Sequence, residues 1–266
     1  MSPTGPTSLA SLDGEIMPAA EAMIPVTDEG LVRGDGVFEV MRVYDGTPYA
    51  FDAHLARMER SAGNLRLGLD LEAVRADAFR LLAEAGTGPD HQCLRIMITR
   101  GGRRILLTEQ MVAVTDDARL MSITYSPTRI LDGIKSLSYA ANMLAGRLAR
   151  EQGYDEALLV TPHGRVLEAP TSSIFYVMHG RLLTPPLDEH ILASITRALV
   201  IEVTGAEEQP CTLEELYDAD EVFLASTVRE VQTVASIDDH EYTGPSPVSD
   251  RTRAAVSARI AEQLRG

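Results

Sequence analysis

Lys135 stands in Gly133-Ile134-Lys135-Ser136-Leu137, flanked by apolar neighbours, in a chain whose positive charge is mostly arginine. Such a lysine has two uses. It can snorkel its ammonium to water, or it can act as an amine nucleophile, because an apolar setting favours the neutral form that attacks a carbonyl. Further along, Val166-Leu167-Glu168-Ala169-Pro170 ends a strand-like run on a carboxylate ahead of a proline turn, ordinarily a rim charge. In Ile191–Arg197, Ser194 and Thr196 open an apolar helix, where free N–H groups and hydroxyls either cap the helix or hold an anion. Ser226 and Thr227 end another strand and leave the same two readings open. In Cys93-Leu94-Arg95-Ile96-Met97, alternation puts Arg95 on one face of a strand. A charge there needs a partner, either a structural acid or the carboxylate of a substrate. Arg100, Arg103 and Arg104 follow in the next loop, as solvated charges or as additions to the same positive field.

Those residues need elements to hold them. The run 37–43, the Asp45-Gly46 turn and the run 48–51 predict a β-hairpin. Leu55, Met58, Ala62, Leu65 and Leu69 predict a helix with Asp52 as N-cap and Gly68 near its end, and a second helix runs from Asp70 to Gly86. Strands are expected at 93–99 and 110–115, joined through Gly101-Gly102-Arg103-Arg104. After a connector at Ser126-Pro127, a helix over 141–152 stops at Gly153, and short strands follow at 156–161, 165–169, 172–178 and 181–184. An apolar helix near 191–204, a helix opened by the Thr212/Glu215 capping box, strands at 221–226 and 231–237, and a C-terminal amphipathic helix complete the reading. The pattern is α+β in two domains: 1–122, a connector over 123–130, and 131–266.

The 266 residues are 45% hydrophobic and 24% charged, which excludes disordered and collagen-like classes. Lys plus Arg number 24 against 39 Asp plus Glu, a formal charge of -15, the wrong sign for a nucleic acid or an anionic membrane surface. Any anionic ligand must therefore be held by a few specific cations. The two cysteines, Cys93 and Cys211, form no C-x-x-C pair, so neither a disulfide framework nor a metal site is expected. No run of about 18 apolar residues occurs, and the expectation is a cytoplasmic protein.

Taken in order, the lysine, the E-x-x-x-x-S-I-F run at Glu168, the L-x-x-I-T-R turn at 192–197 and D-E-V-F-L-x-S-T at 220–227 resemble the fold-type IV pyridoxal-phosphate enzymes. These are the branched-chain aminotransferases, D-amino-acid aminotransferases and aminodeoxychorismate lyases. Arg33-Gly34-Asp35-Gly36-Val37-Phe38-Glu39-Val40 and the HLARMERSA run at 54–62 are similar to the family's first hairpin and helix, so the resemblance spans about residues 24–240. It implies a small N-terminal α/β sandwich, a larger C-terminal pseudo-barrel domain, pyridoxal 5′-phosphate as cofactor, and a homodimer with the active site at the subunit interface. Lys135 matches the lysine that forms the Schiff base and shuttles the proton. Glu168 matches the carboxylate on the pyridine nitrogen, and Arg57 the arginine on the phosphate. Ser194, Ile195, Thr196, Ser226 and Thr227 match phosphate-holding turns, and Tyr139 a position that in several relatives puts a phenol near the cofactor. The family usually has Asn where Ser138 and Ser173 stand, and Gly where Ser194 stands.

For the substrate, the resemblance places the Arg33 segment facing the active site, so Arg33 is read as a carboxylate clamp, with Phe38, Arg95 and Arg103 as further substrate contacts. These cations favour an amino acid with a 2-oxo acid over a simple amine. The runs KSLSYAAN and TRGG resemble the D-amino-acid and aminodeoxychorismate patterns more than the branched-chain one. The expected activity is transamination of an amino acid, a D-amino acid favoured, by a ping-pong mechanism through pyridoxamine phosphate. Aminodeoxychorismate lyase, branched-chain L-amino-acid or (R)-amine transamination, and a catalytically silent binding protein on the same fold are the alternatives.

Overall fold

A computed structural model describes residue 5 and residues 7–111 and 113–265. The described chain divides into two compact units, one of residues 1–113 with 134–139, the other of residues 114–133 with 140–266.

In the first unit, β1 (Leu9–Leu12), β2 (Glu15–Pro18), α1 (Glu29–Arg33), β3 (Gly36–Tyr44), β4 (Thr47–Pro48), α2 (Phe51–Leu65), α3 (Leu71–Ala85), β5 (Cys93–Thr99) and β6 (Arg104–Glu109) follow in order. The strands form one antiparallel sheet in the order β2-β1-β6-β5-β3-β4. Asp45 and Gly46 both take positive φ, 47° and 82°, as a twisted two-residue hairpin turn requires. The second hairpin arm is shorter than its apolar run suggests, because Phe51 already begins α2. The cap of α2 also differs from the expected Asp52: Ala50, in the left-handed region, precedes the helix, and its carbonyl accepts from the His54 N–H. Asp70 does cap α3, accepting from the Ala73 N–H at 3.0 Å. Leu55, Met58 and Ala62 of α2 and Val74, Ala78 and Leu81 of α3 bury their faces against Val37, Met41, Leu94 and Ile96 of the sheet.

The strand expected at 110–115 does not form among the described residues; Val112 of that run lies outside them. Instead β6 pairs Arg104–Glu109 with β5, Cys93 opposite Glu109 and Ile98 opposite Arg104. Charged residues at both ends of that strand hid it in the sequence.

The second unit contains β7 (Asp117–Thr124), α4 (Ala140–Glu151), β8 (Glu156–Val160), β9 (Ser173–Met178), β10 (Arg181–Thr184), α5 (Ile195–Thr204), β11 (Glu207–Glu208), α6 (Leu213–Tyr217), β12 (Glu221–Ser226), β13 (Glu230–Ile237), β14 (His240–Glu241) and α7 (Pro247–Gln263). Its mixed sheet runs β11-β10-β9-β12-β13-β7-β8, with β14 on β13. The boundary falls earlier than the expected 122, because β7 bonds in parallel to β13 and β8. Residues 134–139 fall in the first unit, where the sequence reading put them in the second domain. Residues 165–169 make isolated bridges rather than a strand, although Leu167 and Glu168 exchange backbone bonds with Leu159 at 2.9 Å. The capping box on α6 forms in full. No helix among the described residues is long and apolar enough to cross a membrane.

Candidate functional site

In the first unit, Lys135 belongs to no helix or strand, yet both its backbone groups are held. Its N–H donates to Ser61 Oγ at 3.1 Å, and its carbonyl accepts from the Phe38 N–H at 3.0 Å. Ser136 then bridges Val37, the Leu137 N–H donates to the Gly36 carbonyl at 2.9 Å, and Ser138 Oγ donates to the Gly34 carbonyl at 3.1 Å. The lysine-bearing segment is thus laid along the start of β3. This explains two glycines of the R-G-D-G run. Gly34 has φ 67°, and a Cβ there would stand 2.9 Å from Ser138 Oγ. At Gly36, flanked by β5 and by Leu137, a Cβ would come 2.4 Å from the Ile98 carbonyl oxygen.

Lys135 Nζ lies 4.4 Å from the centroid of the Phe38 ring and 5.8 Å from that of Tyr139, and those two rings meet edge-to-face at 5.2 Å. The Arg95 guanidinium lies 5.7 Å from the Phe38 centroid. The partner sought for Arg95 comes from the chain itself. Glu109, diagonally across the β5–β6 pair, accepts from Arg95 Nε at 2.6 Å and Nη2 at 3.1 Å. Arg100 pairs with Asp35 and caps the end of α2 through the Leu65 and Arg66 carbonyls. Arg103 pairs with Asp13, and Arg104 with Asp77. The inference from an isolated strand charge to a substrate carboxylate therefore loses its premise at Arg95 and Arg103. Arg33 is exposed at the last position of α1, held in place by the Asp28 cap at the other end of that helix.

Arg57 is buried, and its Nε and Nη2 both donate to the Glu39 carboxylate at 2.7 Å. His54 Nδ1 meets the same carboxylate at 2.8 Å. Burial alone would raise the Glu39 pKa, but the bonds from Arg57 and His54 outweigh it and hold the carboxyl at about 2. Burial pushes the His54 imidazole down, with the Arg57 and Lys135 charges adding to that and the Glu39 bond opposing it. An ionised Glu39 only accepts, so Nδ1 carries the His54 proton, and Nε2 is a buried acceptor without a partner among the described residues. Sequence reasoning missed Glu39, His54 and Ser61. The signal was present: alternation puts Glu39 on the apolar face with Val37 and Met41, and His54, Arg57 and Ser61 recur at helical spacing.

The second unit carries the other candidates. Glu168 is half-buried at the turn before β9, and its Oε1 accepts from the Leu192 N–H at 3.1 Å. Nearby in sequence, the hydroxyls of Ser172 and Ser173 are buried with no partner among the described residues. Ser194 caps α5, accepting from the Arg197 N–H at 3.2 Å with φ -71°, so a side chain is tolerated where the family usually has glycine. Ile195 and Thr196 are the first two residues of that helix, whose N–H groups have no intrahelical acceptor. Ser226 Oγ, at the end of β12, accepts from the Arg229 N–H at 3.3 Å, and Thr227 follows in the turn.

The model of the class IV amino-transferases matches residues 36–237. The chain belongs to the class IV aminotransferases. That family is pyridoxal-phosphate-dependent, and the fold is that of the fold-type IV enzymes. A putative branched-chain-amino-acid aminotransferase of Methanocaldococcus jannaschii is 32% identical, over 85% of this chain and 87% of that protein. A D-alanine aminotransferase of Bacillus licheniformis is 30% identical, over 93% and 95%. Among solved structures, a hypothetical aminotransferase from Mycobacterium tuberculosis in its PLP-bound form superposes with a TM-score of 0.85 at 26% identity, covering 96% of this chain and 99% of that one.

The residues present fit such a cofactor. By chemical type, the first unit supplies an amine for its aldehyde, and the second unit a carboxylate for its ring nitrogen and helix N–H groups with hydroxyls for a phosphate; the buried Ser172 and Ser173 hydroxyls of the second unit add donors without an acceptor among the described residues. One further signal lay in the composition: Lys135 is the only lysine among the 24 basic residues.

Proposed function

We propose that this class IV aminotransferase moves an amino group from an amino acid, a D-amino acid by preference, to a 2-oxo acid. The observation that carries the reading is the chain's single lysine, fixed through both backbone groups with its Nζ beside Phe38 and Tyr139. Bound pyridoxal 5′-phosphate supplies an electrophilic carbonyl and an electron-withdrawing ring. Lys135 Nζ would hold the cofactor through that carbonyl; once the substrate amine has displaced it, the freed Nζ would accept the proton from the substrate α-carbon and deliver it to the former carbonyl carbon of the cofactor. Glu168, as a carboxylate, keeps a proton on the ring nitrogen. Ser194, Ile195, Thr196, Ser226 and Thr227 bind the phosphate, and the Arg57 guanidinium adds charge to it while Glu39 sets its orientation. Arg33 orients the substrate carboxylate, and Phe38 and Tyr139 shield the amine from water.

Preference for D-amino acids is supported by the D-alanine aminotransferase among the relatives. A half-reaction screen tests it by following loss of the cofactor's yellow band with D- and L-alanine, D- and L-glutamate, L-leucine, 1-phenylethylamine and aminodeoxychorismate. The D-amino acids should bleach the band fastest. Faster bleaching by L-leucine or by the aryl amine overturns the preference, and pyruvate release from aminodeoxychorismate without an amino acceptor identifies a lyase. A homodimer and a cytoplasmic location belong to the same reading, and light scattering tests the first.

A further inference from the structure

We infer that Ser61 is a positioning residue for Lys135, an inference that rests on reading Lys135 as the cofactor-bearing amine. Ser61 is fully buried on α2, one turn beyond Arg57, and its Oγ accepts the Lys135 N–H at 3.1 Å. The two sides of Lys135 are held unequally. Downstream, the segment is tied to β3 and Gly34 by three hydrogen bonds: Phe38 N–H to the Lys135 carbonyl and Leu137 N–H to the Gly36 carbonyl, which together make the Val37–Ser136 bridge, and Ser138 Oγ to the Gly34 carbonyl. Upstream, Asp132 and Gly133 are exposed, and Gly133 sits at φ 70°. Ile134 packs its side chain against the first unit's core, and the Ser61 bond is the hydrogen bond that fixes the peptide between Ile134 and Lys135, where the held segment gives way to the loop. A lysine ε-amine is four methylenes from its backbone, so its placement is only as well defined as the peptide it springs from. Releasing the N–H lets that peptide turn about its downstream anchor and carries Nζ with it, and displacements on the order of 1 Å at a reacting group are felt strongly in rate.

Ser61→Ala removes one hydroxyl and adds no bulk. Ser249→Ala is the matched control: it also deletes a fully buried hydroxyl, bonded to Glu221 at 2.9 Å, in the second unit and away from the proposed machinery. Both variants and the wild type are loaded with pyridoxal phosphate. Three readouts follow: the rate of borohydride-fixable incorporation at Lys135, the pH at which the loaded protein's absorbance changes, and kcat and KM with a D-amino acid.

Ser61→Ala should load roughly tenfold more slowly, lose about tenfold in kcat with little change in KM, and shift the pH midpoint of the band; Ser249→Ala should change only the melting temperature. If Ser61→Ala matches Ser249→Ala in all three readouts, the positioning role is refuted while the assignment of Lys135 stands. If the wild type itself takes no label at Lys135, the underlying assignment fails instead.

Discussion

Replacing Glu39 with Gln keeps the side chain's shape and removes one buried charge. Glu39 is fully buried and receives two bonds from Arg57 and one from His54. In the variant, the buried Arg57 guanidinium loses the carboxylate it faces, a change that typically destabilises by about 3–5 kcal/mol. The lowered pKa expresses the same contacts as a dependence on pH. The folded carboxyl titrates at about 2 against an ordinary value of 4.5, a difference equivalent to about 3 kcal/mol at neutral pH. The folded pKa is the lower one, so this stability is fully present above about pH 5. Below that the unfolded chain takes up the proton first, and the contribution falls by about 1.4 kcal/mol per pH unit toward pH 2. Calorimetry of both proteins from pH 7 to pH 3.5 should show Glu39→Gln melting on the order of 10 °C lower at neutral pH, with the gap narrowing as the pH drops. A variant melting within a degree or two of wild type at pH 7, or a gap that stays constant down to pH 3.5, would refute the buried ion-pair account.

Other perturbations separate packing from chemistry. Arg95→Ala should cost about 1–3 kcal/mol of stability by stranding the nearly buried Glu109 and leave KM close to wild type, whereas Arg33→Ala should raise KM for carboxylate substrates with melting unchanged. Denaturant unfolding and steady-state kinetics on the two variants check both, and a larger KM effect from Arg95→Ala would reverse the assignment. Gly36→Ala places a methyl against the Ile98 carbonyl, so unfolding in urea should occur at markedly lower concentration; an unchanged midpoint contradicts the close approach seen there.

Several features were legible from local chemistry because local rules alone decide them. The Asp45-Gly46 turn, the Asp70 cap, the Thr212/Glu215 capping box and the span of β5 need only turn residues, hydroxyl or carboxylate caps and alternation. Lys135 and Glu168 stood out by their apolar surroundings and by their order along the chain. What escaped was set by pairing over long sequence separation. β6 is defined by its bonds to β5 rather than by its own charged ends, and the described residues of the apolar run that follows it lie outside the sheet. The ion partners of Arg95 and Arg103 lie 14 and 90 residues away, invisible to spacing. Glu39 was hidden for the opposite reason: inside a well-formed strand pattern, one buried carboxylate reads as a polar interruption until its partners on α2 are known.

The central claim is that Lys135 is the amine that carries the cofactor in a working aminotransferase, and the lack of any other lysine makes it directly testable. Borohydride reduction of the loaded protein, followed by peptide mapping, should place one pyridoxyl group per chain on the peptide containing Lys135, and prior addition of a D-amino acid should bleach the yellow band and prevent the labelling. A label confined to the N-terminal amine, or none, with a band indifferent to every amino acid offered, would contradict the account.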